Sequence, residues 1–178
     1  MKIFSNFTLQ FKIKAMADWH TLYVRSRFEK KVYTALTEKG IEAYLPLQKT
    51  LRQWKDRKKW VQEPLFRSYC FVRVTRQTYY ECLTVPGVVK YVWFDGKPAI
   101  ISPEEINLIK TITSSSYTFE AYKTPIHIGQ KVKVNRGVFS GYEGEVIELK
   151  GKHKVLFRIS NLPVSLVVQI PKNYLQVL

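Results

Sequence analysis

Residues 69–74, Tyr-Cys-Phe-Val-Arg-Val, constrain this 178-residue chain more than any other stretch. Aromatic and β-branched residues dominate it, which is the composition of a β-strand. Alternation places Cys70, Val72 and Val74 on one face, with Tyr69 and Phe71 on the other and Arg73 beyond them. Both faces are therefore apolar over most of the strand, and such a strand is covered on both sides. Two coverings meet that demand. Either this chain supplies both, making a central core strand, or this chain supplies one and a partner supplies the other.

The surrounding sequence supplies further elements. Residues 19–25 read as a first strand. Ser26 and Glu29 have capping-box spacing and open a helix, along which Phe28, Val32, Ala35 and Leu36 form one apolar stripe. Gly40 stands where a left-handed helix stop is expected, and residues 41–47 form a second strand. Beyond residue 74 come a short helix over 78–83, a Pro86-Gly87 turn, and a strand over 88–94 that ends at Asp95-Gly96. A last helix starts with Ser102 as N-cap, Pro103 at its first position and Glu105 two residues on. The order β-α-β, β-α-β is the split, ferredoxin-like plan, and it assigns residues 18–112 to one domain.

Between the two halves lies a basic insert, residues 49–63. Apolar and aromatic residues flank Lys55-Asp56-Arg57-Lys58, which reads as a hairpin with a four-residue loop. Between Lys49 and Lys59, Lys49, Arg52, Lys55, Arg57, Lys58 and Lys59 are basic, against one acid, Asp56. One reading is a solvated charged loop. The other is a finger that touches phosphates through Arg52, Lys55, Arg57, Lys58 and Lys59, with Trp54 or Trp60 stacking on bases.

Net charge points the same way. At +15 the chain is strongly basic, which favours a polyanionic partner, nucleic acid ahead of an anionic membrane. An aromatic content of 14% argues against disorder. No apolar run reaches the ~18 residues needed to cross a bilayer. Residues 1–17 lack the uninterrupted apolar core of a secretory signal and read as a loose N-terminal arm. Cys70 and Cys82 fit no zinc spacing and no disulfide framework, which suits a cytoplasmic location.

Residues 113–125 are polar, begin with a serine run and show no periodicity, so they read as a linker. From residue 126 to 178, short alternating runs at 131–134, 145–149, 154–159 and 164–170 are separated by glycine-rich turns. This spacing belongs to a small SH3-like β-barrel. The expected fold class is therefore α+β, a ferredoxin-like βαββαβ domain followed by a β-barrel.

The motif Pro64-Leu65-Phe66-x-x-Tyr69-x-Phe71-Val72 resembles the signature strand of NusG-type transcription elongation factors. It is closest to the specialised paralogues, RfaH and the UpxY-type antiterminators of bacterial capsule loci. Arg67-Ser68 stands where that family usually has Pro-Gly or Pro-Asn. The resemblance spans residues 19–178, and Gly129, Gly137, Phe139, Gly141 and Gly144 resemble a KOW motif. It implies that Tyr23, Phe66, Tyr69, Phe71 and Tyr91 dock on the β′ clamp helices of RNA polymerase. It further implies contact with DNA near the transcription bubble and with nascent RNA. The barrel would recruit a ribosomal protein or a termination factor. In RfaH-like members the first helix helps read a DNA hairpin. Lys31 keeps that basic character, while Ala35 and Glu38 do not.

No catalytic residue, metal ligand set or cofactor motif is expected. His20, His127 and His153 are scattered, and no nucleophile-elbow or phosphate-loop pattern occurs. A ribosome-associated or other RNA-binding KOW protein is the rival binding reading. An RNA-modifying enzyme is the rival catalytic one, and it needs a cofactor site that no motif supplies.

Overall fold

A computed structural model describes residues 17–54, 56–122, 129–149, 152–162 and 164–178. The expected N-terminal arm therefore lies outside the described residues except for Ala17, and so does Lys55. The chain divides into two compact units, with the break between Ser102 and Pro103.

The first unit comprises β1 (Asp18–Val24), α1 (Glu29–Glu38), β2 (Glu42–Tyr44), β3 (Leu47–Gln53), β4 (Lys58–Pro64), β5 (Tyr69–Val74), α2 (Thr78–Leu83), β6 (Val88–Tyr91), β7 (Trp93–Phe94), β8 (Lys97–Pro98) and β9 (Ile100–Ile101). The main sheet has the order β2-β5-β1-β6, and β9 also pairs with β1. Every pairing in it is antiparallel. This is the ferredoxin-like arrangement. β5 lies inside the sheet, as its two apolar faces require.

The α1 stripe packs on one face. Val32 and Leu36 are buried in a cluster with Leu22, Cys70, Val72 and Tyr91, and Phe28 and Ala35 pack against its edge. Full burial of each such aliphatic side chain contributes about 1.5–3 kcal/mol. Gly40 ends α1 at φ +74°, with its N–H on the Thr37 carbonyl and that of Ile41 on Leu36.

Three local expectations are corrected. The Ser26–Glu29 capping box does not form. Arg27 adopts φ +68°, α1 starts at Glu29, and Phe28 is the cap residue without a side-chain hydrogen bond. The Glu29 carboxylate is buried instead and accepts the Ser68 backbone N–H at 2.8 Å. Ser68 sits at φ +67°, a left-handed conformation that suits Gly or Asn, and its carbonyl accepts the Val24 N–H at 2.9 Å. The turn is thus held at both of its polar ends. The strand expected over 88–94 breaks at Val92, whose N–H reaches the Thr21 carbonyl at 2.8 Å. Trp93 and Phe94 then pair with Pro98 and Lys97 around Asp95-Gly96, both at positive φ. The finger loop is shifted by one residue, since Gln53 pairs with Lys58 and Trp54 belongs to the loop.

The second unit contains α3 (Pro103–Ser114), β10 (Phe119–Tyr122), β11 (Lys131–Val134), β12 (Glu143–Leu149), β13 (Lys152–Arg158), β14 (Ser165–Val168), a 3₁₀ turn at Lys172–Tyr174 and β15 (Leu175–Val177). Its six strands run in the order β10-β14-β13-β12-β11-β15. Val132 and Val134 are buried and Lys131 and Lys133 exposed, as the alternation predicts. The segment read as a linker contains β10, which pairs with β14 through Phe119↔Val168 and Ala121↔Leu166. Phe119 and Ala121 turn partly inward and Glu120 outward, an alternation too short to mark the segment as a strand without the edge of β14 to pair with. The Glu105 carboxylate of α3 accepts the Ser160 N–H at 2.6 Å.

Two stability tests follow from the first unit. Ser68→Gly removes a left-handed cost of roughly 1–2 kcal/mol, partly offset by the greater freedom of glycine in the unfolded chain. A rise of a few degrees in Tm is expected, while Glu29→Ala, which leaves the Ser68 N–H unpaired, should lower Tm. A fall for Ser68→Gly would contradict the assignment. The other test concerns His20, which is buried edge-on against Tyr79 and Tyr91 at 5.6 Å each. Its Nδ1 has no hydrogen-bond partner among the described residues. Burial lowers its pKa from the ordinary 6.5, with the Asp18 charge opposing. The fold therefore favours neutral imidazole. This contribution is complete above the unfolded-state value and is lost as pH falls through the lower folded-state value. His20→Phe should flatten that part of the stability–pH curve, measured by denaturant titration across mildly acidic pH.

Candidate functional site

β1 and β5 pair antiparallel with Tyr23 opposite Tyr69, Leu22 opposite Cys70 and Thr21 opposite Phe71. Cross-strand partners share a face, so Tyr23, Tyr69 and Phe71 lie on the face opposite the α1 cluster. The five aromatic residues expected to dock do not form one exposed patch. Tyr23 is 39% exposed and Tyr69 is partly exposed, with their rings edge-to-face at 5.9 Å. Burial, then the neighbouring Tyr23 phenol, raises the Tyr69 pKa. Phe71 and Phe66 are buried. Phe66 meets Phe71 edge-on at 6.0 Å, and Tyr44 stacks on Phe71 at 6.2 Å. They form a packed aromatic cluster next to the tyrosine pair along β5.

Tyr91 does not join that face. It pairs with Leu22, which turns it to the helix side. There it is buried, stacks on Tyr79 at 4.0 Å and donates its hydroxyl hydrogen to the Tyr79 carbonyl at 2.8 Å. The register decides this, because a shift of one residue along β6 would reverse its face.

The finger is the two-stranded ribbon β3–β4, with seven cross-strand pairs from Leu47↔Pro64 to Gln53↔Lys58. Its loop closes by a Trp54 N–H bond to the Arg57 carbonyl at 2.8 Å, and the Arg57 guanidinium lies 5.7 Å from the centre of the Trp54 ring. Arg57 therefore covers part of the surface that Trp54 would offer a base. Trp60 is 65% exposed and shares its ribbon face with Lys58 and Lys49 by alternation, which makes it the more open stacking platform. Arg52 is paired with Glu63 at 2.7 Å. Lys59 opposes Arg52 on the other ribbon face. Lys31 is exposed on α1, with its ammonium 5.2 Å from the Phe28 ring centre.

In the second unit the glycines of the KOW-like motif serve two purposes. Gly137 and Gly141 have φ +78° and +93° and make the turns between β11 and β12. Gly129 and Gly144 do not have positive φ. A Cβ at Gly129 would collide with the Val146 carbonyl, and one at Gly144 would come within 2.8 Å of the Leu156 carbonyl. Those two permit close backbone approach. Phe139 is buried between Tyr117 and Phe157, at 5.3 and 6.1 Å. It is a core residue.

A sequence model of the family described as transcription termination factor nusG matches residues 17–110, more than half of the chain. The chain belongs to the NusG family. Among curated relatives, the transcription termination/antitermination protein NusG of Chlamydia pneumoniae is 27% identical over 158 residues, covering 81% of this chain and 86% of its own. NusG of Streptococcus pyogenes is 26% identical over 146 residues, covering 74% and 80%. A solved structure concerning domain interaction in Thermotoga maritima NusG is similar over 92% of this chain and 98% of that one. Its TM-score is 0.56 and its identity 20%, a likeness of fold. The NusG match includes β1, β5 and the whole finger. No helix among the described residues is long and apolar enough to cross a membrane.

If the finger touches phosphates, replacing Arg57, Lys58 and Lys59 with Gln should weaken nucleic-acid binding. The log–log salt slope should flatten by roughly 0.7–0.9 for each lost contact. An unchanged slope would identify the finger as a solvated loop.

Proposed function

We propose that this NusG-family chain regulates transcription elongation in the bacterial cytoplasm. It docks on the β′ clamp helices of RNA polymerase through Tyr23 and Tyr69, next to the cluster formed by Phe66 and Phe71. The observation that carries this reading is the exposed Tyr23–Tyr69 pair on the sheet face opposite α1. Amphipathic aromatic rings are the usual anchors of protein interfaces, often costing ~2 kcal/mol or more when truncated. Docking raises processivity only if the elongating polymerase is bound more tightly than the paused one. The finger, through Lys58, Lys59 and Arg57, meets DNA near the bubble or nascent RNA. The second unit recruits a ribosomal protein or a termination factor. The linkage between the two makes that second encounter intramolecular. The basic finger favours a specialised antiterminator of the RfaH or capsule-locus kind over a general factor.

Tyr23→Ala with Tyr69→Ala should lower affinity for purified RNA polymerase tenfold or more, about 1.4 kcal/mol, with little change in Tm. It should also remove any effect on pausing in transcription of a native leader template. Full polymerase binding by the double variant would overturn the docking assignment. Co-purification with ribosomes and not polymerase would favour the ribosome-associated reading.

A further inference from the structure

Where the finger joins the body of the first unit there is a cleft whose lining is mostly cationic. Arg27, Lys30, Arg52 and Arg67 face it, with Glu29 and Glu63 as the acidic residues. Both carboxylates are already engaged, Glu29 by the Ser68 N–H and Glu63 by Arg52. Lys30 is held in place, its ammonium donating to the Gln62 carbonyl at 2.8 Å. Arg27 and Arg67 are exposed and have no ion pair among the described residues. With Arg52 paired to Glu63 and Glu29 held by a backbone N–H, the cations left to attract an anion are Arg27, Arg67 and Lys30. Two free guanidinium forks suit the paired oxygens of a phosphate.

A second groove lies on the finger itself. This shallow groove, lined by Lys49, Trp60, Val61 and Gln62, runs along the ribbon, and Gln62 is the residue that Lys30 grips. Trp60 stands on the ribbon face opposite Arg52 and Glu63, so a strand held in the cleft meets the indole by passing over the edge of the ribbon, with phosphates held by charge and a base stacked on the ring, as unpaired strands are bound.

We propose that this cleft binds a backbone phosphate of a single-stranded nucleic acid whose neighbouring base stacks on Trp60. This deepens the nucleic-acid reading of the finger and rests on it for the path of the strand, but the phosphate site itself stands on Arg27 and Arg67.

The test is fluorescence anisotropy of the full chain with a labelled oligothymidylate about twelve nucleotides long, over a series of salt concentrations. Arg27→Gln with Arg67→Gln should weaken binding about tenfold at low salt and flatten the log–log slope by roughly 1.4, about 0.7 for each lost contact on a single strand. Arg67→Gln alone should give about half that change, and Arg27→Lys with Arg67→Lys should restore most of the slope. Melting curves matching the parent chain establish that the variants are folded. A slope unchanged in the double Gln variant overturns the site. So does a duplex of the same length that binds more tightly and loses the same slope, or a nucleoside triphosphate that displaces the oligonucleotide at equal affinity. The finger variant separates the two readings. If Arg57, Lys58 and Lys59 prove silent while Arg27 and Arg67 do not, the cleft stands and the finger does not.

Discussion

The pairing of β1 with β5 is the constraint on which the rest of the first unit depends. β5 is apolar on both faces, so it is stable only inside a sheet with both faces covered. Its six-residue register with β1 sends Leu22, Cys70 and Val72 to the α1 side and Tyr23, Tyr69 and Phe71 to the other. One set of hydrogen bonds thereby builds the core and sorts the aromatic residues. Phe71 and Phe66 are buried, while Tyr23 and Tyr69 at the end of the register, with Tyr44 beside Phe71, reach the surface. The hydroxyls of tyrosine tolerate that half-wet position better than the phenyl rings of phenylalanine would.

The turn that feeds β5 shows how a residue with a Cβ is held in a left-handed conformation. Ser68 adopts the left-handed conformation that Gly or Asn takes more readily. A buried Glu29 carboxylate holds its N–H, and the Val24 N–H holds its carbonyl. Glu29 is consequently unavailable to cap its own helix. A tertiary contact has displaced a local one, because a charge-assisted bond to a backbone N–H is worth more in a buried place than at an exposed helix end. The same turn carries Arg67 into the cleft that Arg27 also lines.

The finger obeys different rules. A two-stranded ribbon has too little apolar surface to be stable alone, and here it is tied to α1 by Lys30 and braced internally by Arg52–Glu63. Lys49, Lys58, Lys59 and Trp60 are left exposed to solvent. The ion pair explains why counting basic residues overstates the charge that the finger can offer a ligand. Arg52 is partly neutralised within the ribbon, whereas Lys58 and Lys59 have no ion pair among the described residues.

The sequence by itself determined the βαββαβ order of the main elements of the first unit, the α+β class, the stripe of α1, the inner place of β5 and the basic hairpin. Each of these follows from local periodicity or composition, which act over a few residues. Only the tertiary structure decided which aromatics face outward. Tyr91 turns inward because β6 meets β1 at Leu22, a register that neither strand's own alternation specifies. Only the tertiary structure turned residues 119–122 into a strand, since their alternation is too short to mark one and the open edge of β14 selects a partner by backbone hydrogen bonding. The cleft of Arg27, Lys30, Arg52 and Arg67 likewise joins residues from three separate stretches of the chain. Charge converges there because α1, the finger and the β5 turn are folded against one another, and no spacing along the sequence records it.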